Sequence, residues 1–298
     1  MRSSLIALAA AVILTTGCSG TALEADAGSA PRPTAGSAGP VSRFSAYAAL
    51  GDSYSAAPLN PESADEACLR STANYPARLA DALGVPLVDV TCAGAKTDDV
   101  AGGQQVPEAR GGDTQEPQIE AVDDETDLVT IGLGGNDGGL FTVMTRRCLA
   151  RSPSAEACLR RLKATGDASD FRRVRRSIVE VVRQVRQQAA DDVTIVLVDY
   201  PRLLASADGC PPLRGVPQEA LAAVANAQRS LNRSLAAAAE AAGALFLDLE
   251  QASSQHGLCA EEPWVNGRRT RPGVALRWHP LPVEQAGVAT RLRSLLGQ

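Results

Sequence analysis

The chain has 298 residues, with 29 Lys+Arg against 34 Asp+Glu and a formal net charge of -5. This mildly acidic balance, with no Lys/Arg-rich stripe interleaved with aromatics, argues against nucleic acid as a partner. Two histidines and seven cysteines without a CxxC pair argue against a zinc site, and no cofactor is expected.

The first segment reads as an export signal. Arg2 supplies the positive end, and residues 5–14 form an apolar run too short to span a bilayer as a helix. Thr15-Thr16-Gly17-Cys18 follows and resembles a bacterial lipobox with Cys18 as the lipid-attachment residue, although Thr15 stands where leucine is usual. Cysteine parity supports the anchor, because taking Cys18 from the seven leaves an even number to pair. The alternative is ordinary cleavage near Ala25-Asp26-Ala27, far beyond the apolar run. The expected organisation is a signal at 1–18, a flexible Ala/Gly/Ser/Pro linker at 19–43 and a domain at 44–298. The protein is expected outside the cytoplasmic membrane, lipid-anchored on its outer face or freely secreted.

Beyond the linker, short apolar runs alternate with helical patterns, which predicts an α/β domain with a parallel sheet and crossover helices. Strands are predicted at 45–50, 86–91, 127–133, 193–198 and 244–249. Their near-continuous Val, Ile and Leu suit burial on both faces. Helices are predicted at 75–83, 171–188, 218–242 and 284–296. In the second, Val174, Ile178, Val181 and Val185 form one stripe with arginines on the other face. The stretches 62–71, 101–118, 209–216 and much of 258–276 read as loops long enough to shape a cleft. In an exported chain the cysteines after Cys18 predict three disulfides. Composition does not choose among pairings, and sequential pairing (Cys68–Cys92, Cys148–Cys158, Cys210–Cys259) closes the shortest loops.

Three residue groups carry chemistry. Ser53 follows the first strand in Gly51-Asp52-Ser53-Tyr54-Ser55, at the carboxyl end of a strand, where open α/β sheets bind their ligands. Gly134-Gly135-Asn136-Asp137 follows a later strand, and Trp278-His279-Pro280 lies near the C-terminus. A hydroxyl nucleophile, an amide donor and an imidazole suffice for acyl transfer. Each group alone is a weak signal, since Gly51-Asp52-Ser53 and Gly134-Gly135-Asn136-Asp137 read equally as turns and Gly94 as a loop glycine. His256 sits beside Cys259 and reads as a structural loop histidine, which leaves His279 as the candidate base. There is no Gly-x-Ser-x-Gly elbow. Gly94-Ala95-Lys96-Thr97 lacks the glycine that a phosphate loop needs before its lysine. Asp137 stands where a dinucleotide fingerprint begun at Gly132 needs its third glycine.

Taken in order, the segments 49–56, 91–97, 131–137 and His279-Pro280 resemble the four blocks of the GDSL-type, or SGNH, hydrolases. The cysteine spacing resembles that of secreted actinobacterial esterases in the same family. The resemblance runs from about Phe44 to the C-terminal helix. It implies a three-layer α/β/α sandwich with a central, mostly parallel, flavodoxin-like sheet. It further implies ester hydrolysis with Ser53 as nucleophile and His279 as general base. The oxyanion hole would come from the backbone N–H groups of Ser53 and Gly94 and the side-chain amide of Asn136. The chain departs from the family at Leu276, where an aspartate is usual. Resemblance to related esterases implies that the Leu276 carbonyl orients His279, with Asp248 or Glu284 as carboxylate alternatives. The expected substrates of this monomer are acyl lipids, small esters or acylated glycans. Two other functions fit the same motifs: a ligand-binding lipoprotein that keeps the fold without turnover, and an acyltransferase.

Overall fold

The computed structural model describes residues 42–150, 154–204 and 210–298. The expected signal with Cys18, and the linker as far as residue 41, lie outside the described residues.

Five parallel strands form the central sheet: β1 (Tyr47–Gly51), β2 (Leu87–Asp89), β3 (Leu128–Gly132), β4 (Thr194–Val198) and β5 (Leu245–Leu247). Their spatial order is β2-β1-β3-β4-β5, the flavodoxin-like winding. Alternate residues of each strand point to opposite faces, and here both faces are covered. On one side Leu50, Ile131 and Leu197 pack against Val174, Ile178 and Val185 of α4 (Ala168–Gln188) and against α5 (Gln218–Ala242). On the other, Tyr47, Ala49 and Val196 pack against Leu79 of α2 (Tyr75–Leu83) and Val288 and Leu292 of α6 (Pro282–Leu295). Two further helices are α1 (Ser53–Ala56), directly after β1, and α3 (Ala155–Thr165). The result is the three-layer α/β/α sandwich.

Element ends follow side-chain chemistry that apolar runs do not encode. Ser45 and Ala46 give their N–H groups to the Asp127 carboxylate at 2.7 and 3.0 Å, so β1 begins only at Tyr47. The Asp89 carboxylate accepts from the Thr91 N–H and hydroxyl at 3.0 and 2.7 Å and ends β2 early. α4 starts at Ala168 instead of Phe171 because Asp167 and Asp170 close a capping box. α6 starts at Pro282, whose preset φ suits a first helical turn. The expected loop at 62–71 contains a small antiparallel pair, Ser63–Asp65 with Arg70–Ser71, and that at 101–118 contains Gln104–Gln105 with Thr114–Gln115. α3 has no sequence counterpart above, since its buried positions are only Cys158 and Leu162.

Three disulfides join Cys68 to Cys92, Cys148 to Cys158 and Cys210 to Cys259. Each contributes about 2–4 kcal/mol, chiefly by restricting the unfolded chain. The first ties the loop after Asp65 to the turn that carries Gly94, and the second ties α3 to the helical turn Val143–Cys148.

Candidate active site

The sheet order reverses between β1 and β3, and the carboxyl ends of that pair bear Ser53 and the 134–137 turn. Ser53 is the first residue of α1, whose N-cap is Asp52. The Asp52 carboxylate accepts from the Tyr54 N–H at 2.8 Å, a normal N-cap bond. The Ser53 hydroxyl is 2.9 Å from His279 Nε2. Ser53 and His279 stand 226 residues apart in sequence, and the two segments are tied by the Tyr54 hydroxyl donating to the Trp278 carbonyl at 2.8 Å and by Gln285 Nε2 donating to the Tyr54 carbonyl at 3.0 Å.

The His279 ring is oriented by backbone. Its Nδ1 lies 2.7 Å from the Arg277 carbonyl oxygen. A carbonyl only accepts, so Nδ1 carries the proton and the Nε2 lone pair faces the serine. The orienting carbonyl is therefore that of Arg277 and not that of Leu276. The Leu276 oxygen instead accepts from the His279 N–H at 3.2 Å and from Asn266 Nδ2 at 3.1 Å. Trp278, between the two partners, adopts a left-handed φ of 63°, a conformation that costs a bulky residue energy and must be imposed by its surroundings. The surroundings here are the Tyr54 hydroxyl on the Trp278 carbonyl at 2.8 Å and the Gly267 carbonyl on the Trp278 N–H at 3.1 Å. The Asn266 N–H adds a bond to the His279 carbonyl at 2.8 Å. Neither carboxylate alternative touches the ring: Asp248 caps a short helix through the Gln251 N–H, and Glu284 accepts from Gln285 Nε2. Desolvation in the cleft pushes His279 down to about 4; the Arg277 carbonyl opposes this, and the nearby Arg277 charge adds to it.

The donors around Ser53 come from three turns. The Ser53 and Gly94 N–H groups donate to no acceptor among the described residues, and both residues line the same cavity. Gly94 has φ +95, which an L side chain rarely adopts. Its turn is held by Ala93 N–H on the Cys68 carbonyl at 2.9 Å and by the Asp137 carboxylate on the Thr97 N–H and hydroxyl at 3.1 and 2.6 Å. Asn136 Nδ2 donates to the Ala95 carbonyl at 3.0 Å and to Asp52 Oδ2 at 3.3 Å.

Beneath Asn136 lies a buried network that the motifs do not disclose. Asp52 Oδ2 also accepts from the Tyr200 hydroxyl at 2.7 Å, and that hydroxyl accepts from the Gly135 N–H at 2.8 Å. A Cβ at Gly135 would collide with the Phe141 ring, so glycine lets this backbone approach. Burial pushes the Asp52 carboxyl up to about 7 against the opposing Tyr54 and Tyr200 bonds. The one available signal for Tyr200 is its place just past the carboxyl end of β4.

Ser53, Gly94, Asn136 and His279 share a cavity of about 310 Å³ with Phe141 and Trp278 on its apolar side. That volume is at the small end for ligand pockets. His256 is elsewhere, stacked on Trp264 at 4.8 Å with Nδ1 on the Glu262 carbonyl. Among the described residues no group of three or more His, Cys, Asp or Glu side chains is placed to hold a metal ion.

Residues 49–282 match the GDSL-like lipase/acylhydrolase family. The chain belongs to that family. It is similar to Lipase 2 of Streptomyces coelicolor, 34% identical over 84% of this chain and 85% of the relative. It is also similar to a lipase of Streptomyces rimosus, 30% identical over 74% and 75%. Among solved structures, phospholipase A1 of Streptomyces albidoflavus superposes with a TM-score of 0.70 at 27% identity, covering 84% of this chain and 99% of that one. The extracellular lipase of Streptomyces rimosus gives the same score and coverage at 28% identity. This GDSL-like hydrolase is an ester-hydrolysing enzyme of the lipase/esterase type.

Proposed function

We infer that this GDSL-like hydrolase cleaves carboxylic esters outside the cytoplasmic membrane through an acyl-enzyme on Ser53. The observation that carries the reading is the 2.9 Å contact between the Ser53 hydroxyl and His279 Nε2. A serine hydroxyl is a weak nucleophile until an imidazole within hydrogen-bond reach accepts its proton. Ser53 Oγ attacks the ester carbon as His279 Nε2 takes that proton. The oxyanion accepts from the Ser53 and Gly94 N–H groups, and from Asn136 once the 3.3 Å contact to Asp52 is exchanged for substrate. Each such donor contributes about 3–4 kcal/mol in a serine hydrolase. His279 then protonates the leaving alcohol, and water activated by the same nitrogen releases the acid and restores Ser53. The Arg277 carbonyl holds the tautomer through the cycle and takes the place of a triad carboxylate.

Acyl lipids and short esters are the substrate class, in keeping with the lipase names of the relatives. Export is supported by the three disulfides, which persist in oxidising compartments. Attachment of lipid at Cys18 rests on the lipobox-type residues before it. The test is hydrolysis of 4-nitrophenyl esters by the oxidised protein beside Ser53→Ala and His279→Ala. Loss of turnover in both supports the mechanism, and activity surviving Ser53→Ala overturns it.

A further inference from the structure

The cavity at Ser53 has a charge of its own. Arg110, Arg146 and Arg277 line it, and no Asp or Glu among the described residues does. This is opposite in sign to the chain, whose formal net charge is -5. General electrostatic attraction of anions to the protein therefore does not account for it.

The three arginines are held differently. Arg110 is half-buried, and its guanidinium donates to the Ala67 and Ala93 carbonyls at 2.9 and 3.1 Å. Its charge is thus fixed beside the Gly94 turn, and the nearby carboxylate, that of Asp65, is itself paired with Arg70 at 3.0 Å. Arg146, on the helical turn Val143–Cys148, and Arg277, just ahead of Trp278, are exposed. Their guanidinium groups have no hydrogen-bond or ion-pair partner among the described residues; the ion pairs of those residues lie elsewhere. An exposed arginine ordinarily serves solubility. Two that converge without partners on the cavity of a reactive serine, beside apolar Phe141 and Trp278, present planar donor forks to whatever enters. Carboxylate and phosphate oxygens fit such forks and make charge-assisted bonds to them.

We propose that this cleft selects esters carrying an anionic group, phosphate or carboxylate, close to the scissile bond. Arg146 and Arg277 bind the anion, and Arg110 adds fixed positive potential behind it. The proposal rests on the Ser53 reading given above and deepens it to a substrate class.

The test compares kcat/KM of the oxidised protein on soluble matched esters: 1-butanoylglycerol 3-phosphate against 1-butanoylglycerol, and butanoyloxyacetate against ethyl butanoate. Concentrations stay below any micelle formation, so no lipid surface contributes. The anionic member is favoured roughly tenfold, the weight of a single charge-assisted contact. The preference shrinks in high salt. Arg146→Gln lowers the anionic-to-neutral ratio, Arg146→Lys retains most of it, and Arg146→Glu inverts it. A preference confined to one arm supports the proposal and identifies the group as phosphate or carboxylate. A ratio at or below one in the unmodified protein, or one unmoved by Arg146→Glu, overturns it. Ser53-dependent turnover of the neutral esters would in that case leave the serine-esterase reading standing, whereas no turnover of any ester removes both.

Discussion

The Arg277 carbonyl oxygen lies 2.7 Å from His279 Nδ1, two residues earlier in the chain and across a left-handed Trp278. A carbonyl presents a dipole where a triad carboxylate would present a full charge. The imidazolium that the proposed mechanism forms is therefore less stabilised than in a triad, and desolvation holds His279 down to about 4.

This relationship sets the acidic limb of the rate profile. With neutral His279 as the base of the proposed mechanism, kcat/KM on a soluble neutral ester falls only as pH drops through about 4 and stays level from pH 5 to 7. An acidic limb near 6.5, the ordinary histidine value, would show that the ring is not desolvated in the working enzyme. The sign for stability follows from the same shift. The unfolded chain binds the proton first, so this group lowers stability as pH falls from about 6.5 towards 4.

Asn266 is the residue that shapes the histidine loop. It is buried, and its Nδ2 serves the Arg269, Ala275 and Leu276 carbonyls at 2.8, 2.9 and 3.1 Å. Asn266→Ala strands the Arg269 carbonyl, leaves the Ala275 and Leu276 carbonyls only the Arg271 and His279 N–H groups, costs about 1–3 kcal/mol and loosens the Arg277–His279 pair. The expected outcome is a kcat reduced about tenfold or more with KM nearly constant, measured on one ester. An unchanged kcat in the folded variant would show that the loop keeps its shape without this side chain.

How much of this was legible before the structure depends on where the information resides. The five strands were legible as apolar runs because a sheet covered on both faces needs them, as Leu50 and Ile131 illustrate. The family was legible from four short blocks in order. The orienting group was not, because a backbone carbonyl has no side-chain signature: counting back from His279 points to Leu276, and only the left-handed turn at Trp278 brings Arg277 round. Asn266, Tyr200 and Gln285 were equally silent. Each is an ordinary polar residue whose burial against another element is a tertiary fact, as when Gln285 bonds the Tyr75 N–H and the Tyr54 carbonyl at 2.6 and 3.0 Å.

Tyr200 supports Asn136 from below. Tyr200→Phe removes the 2.7 Å bond to Asp52 and leaves the Gly135 N–H buried without its acceptor. Loss of the Tyr200 donor also pushes the Asp52 carboxyl further up. With the Asn136 amide less firmly aimed, kcat should fall about tenfold, the equivalent of one weakened transition-state contact, while KM holds. Equal kcat for variant and parent would detach this network from turnover.

Glu284 governs stability at the alkaline side. It is 1% exposed, and its Oε2 accepts from Gln285 Nε2 at 2.6 Å. Burial pushes the carboxyl from 4.5 up to about 8. The folded state holds the proton more tightly than the unfolded chain, so the contribution is full below about 4.5 and is lost as pH rises through about 8. Asp52 acts in the same direction up to about 7. Glu284→Gln keeps an oxygen for Gln285 and cannot ionise. Urea unfolding at pH 5 and pH 9 should show the parent losing on the order of a few kcal/mol more than the variant between the two. A parent and variant with the same pH dependence would mean that water reaches Glu284 in the folded protein and screens its charge.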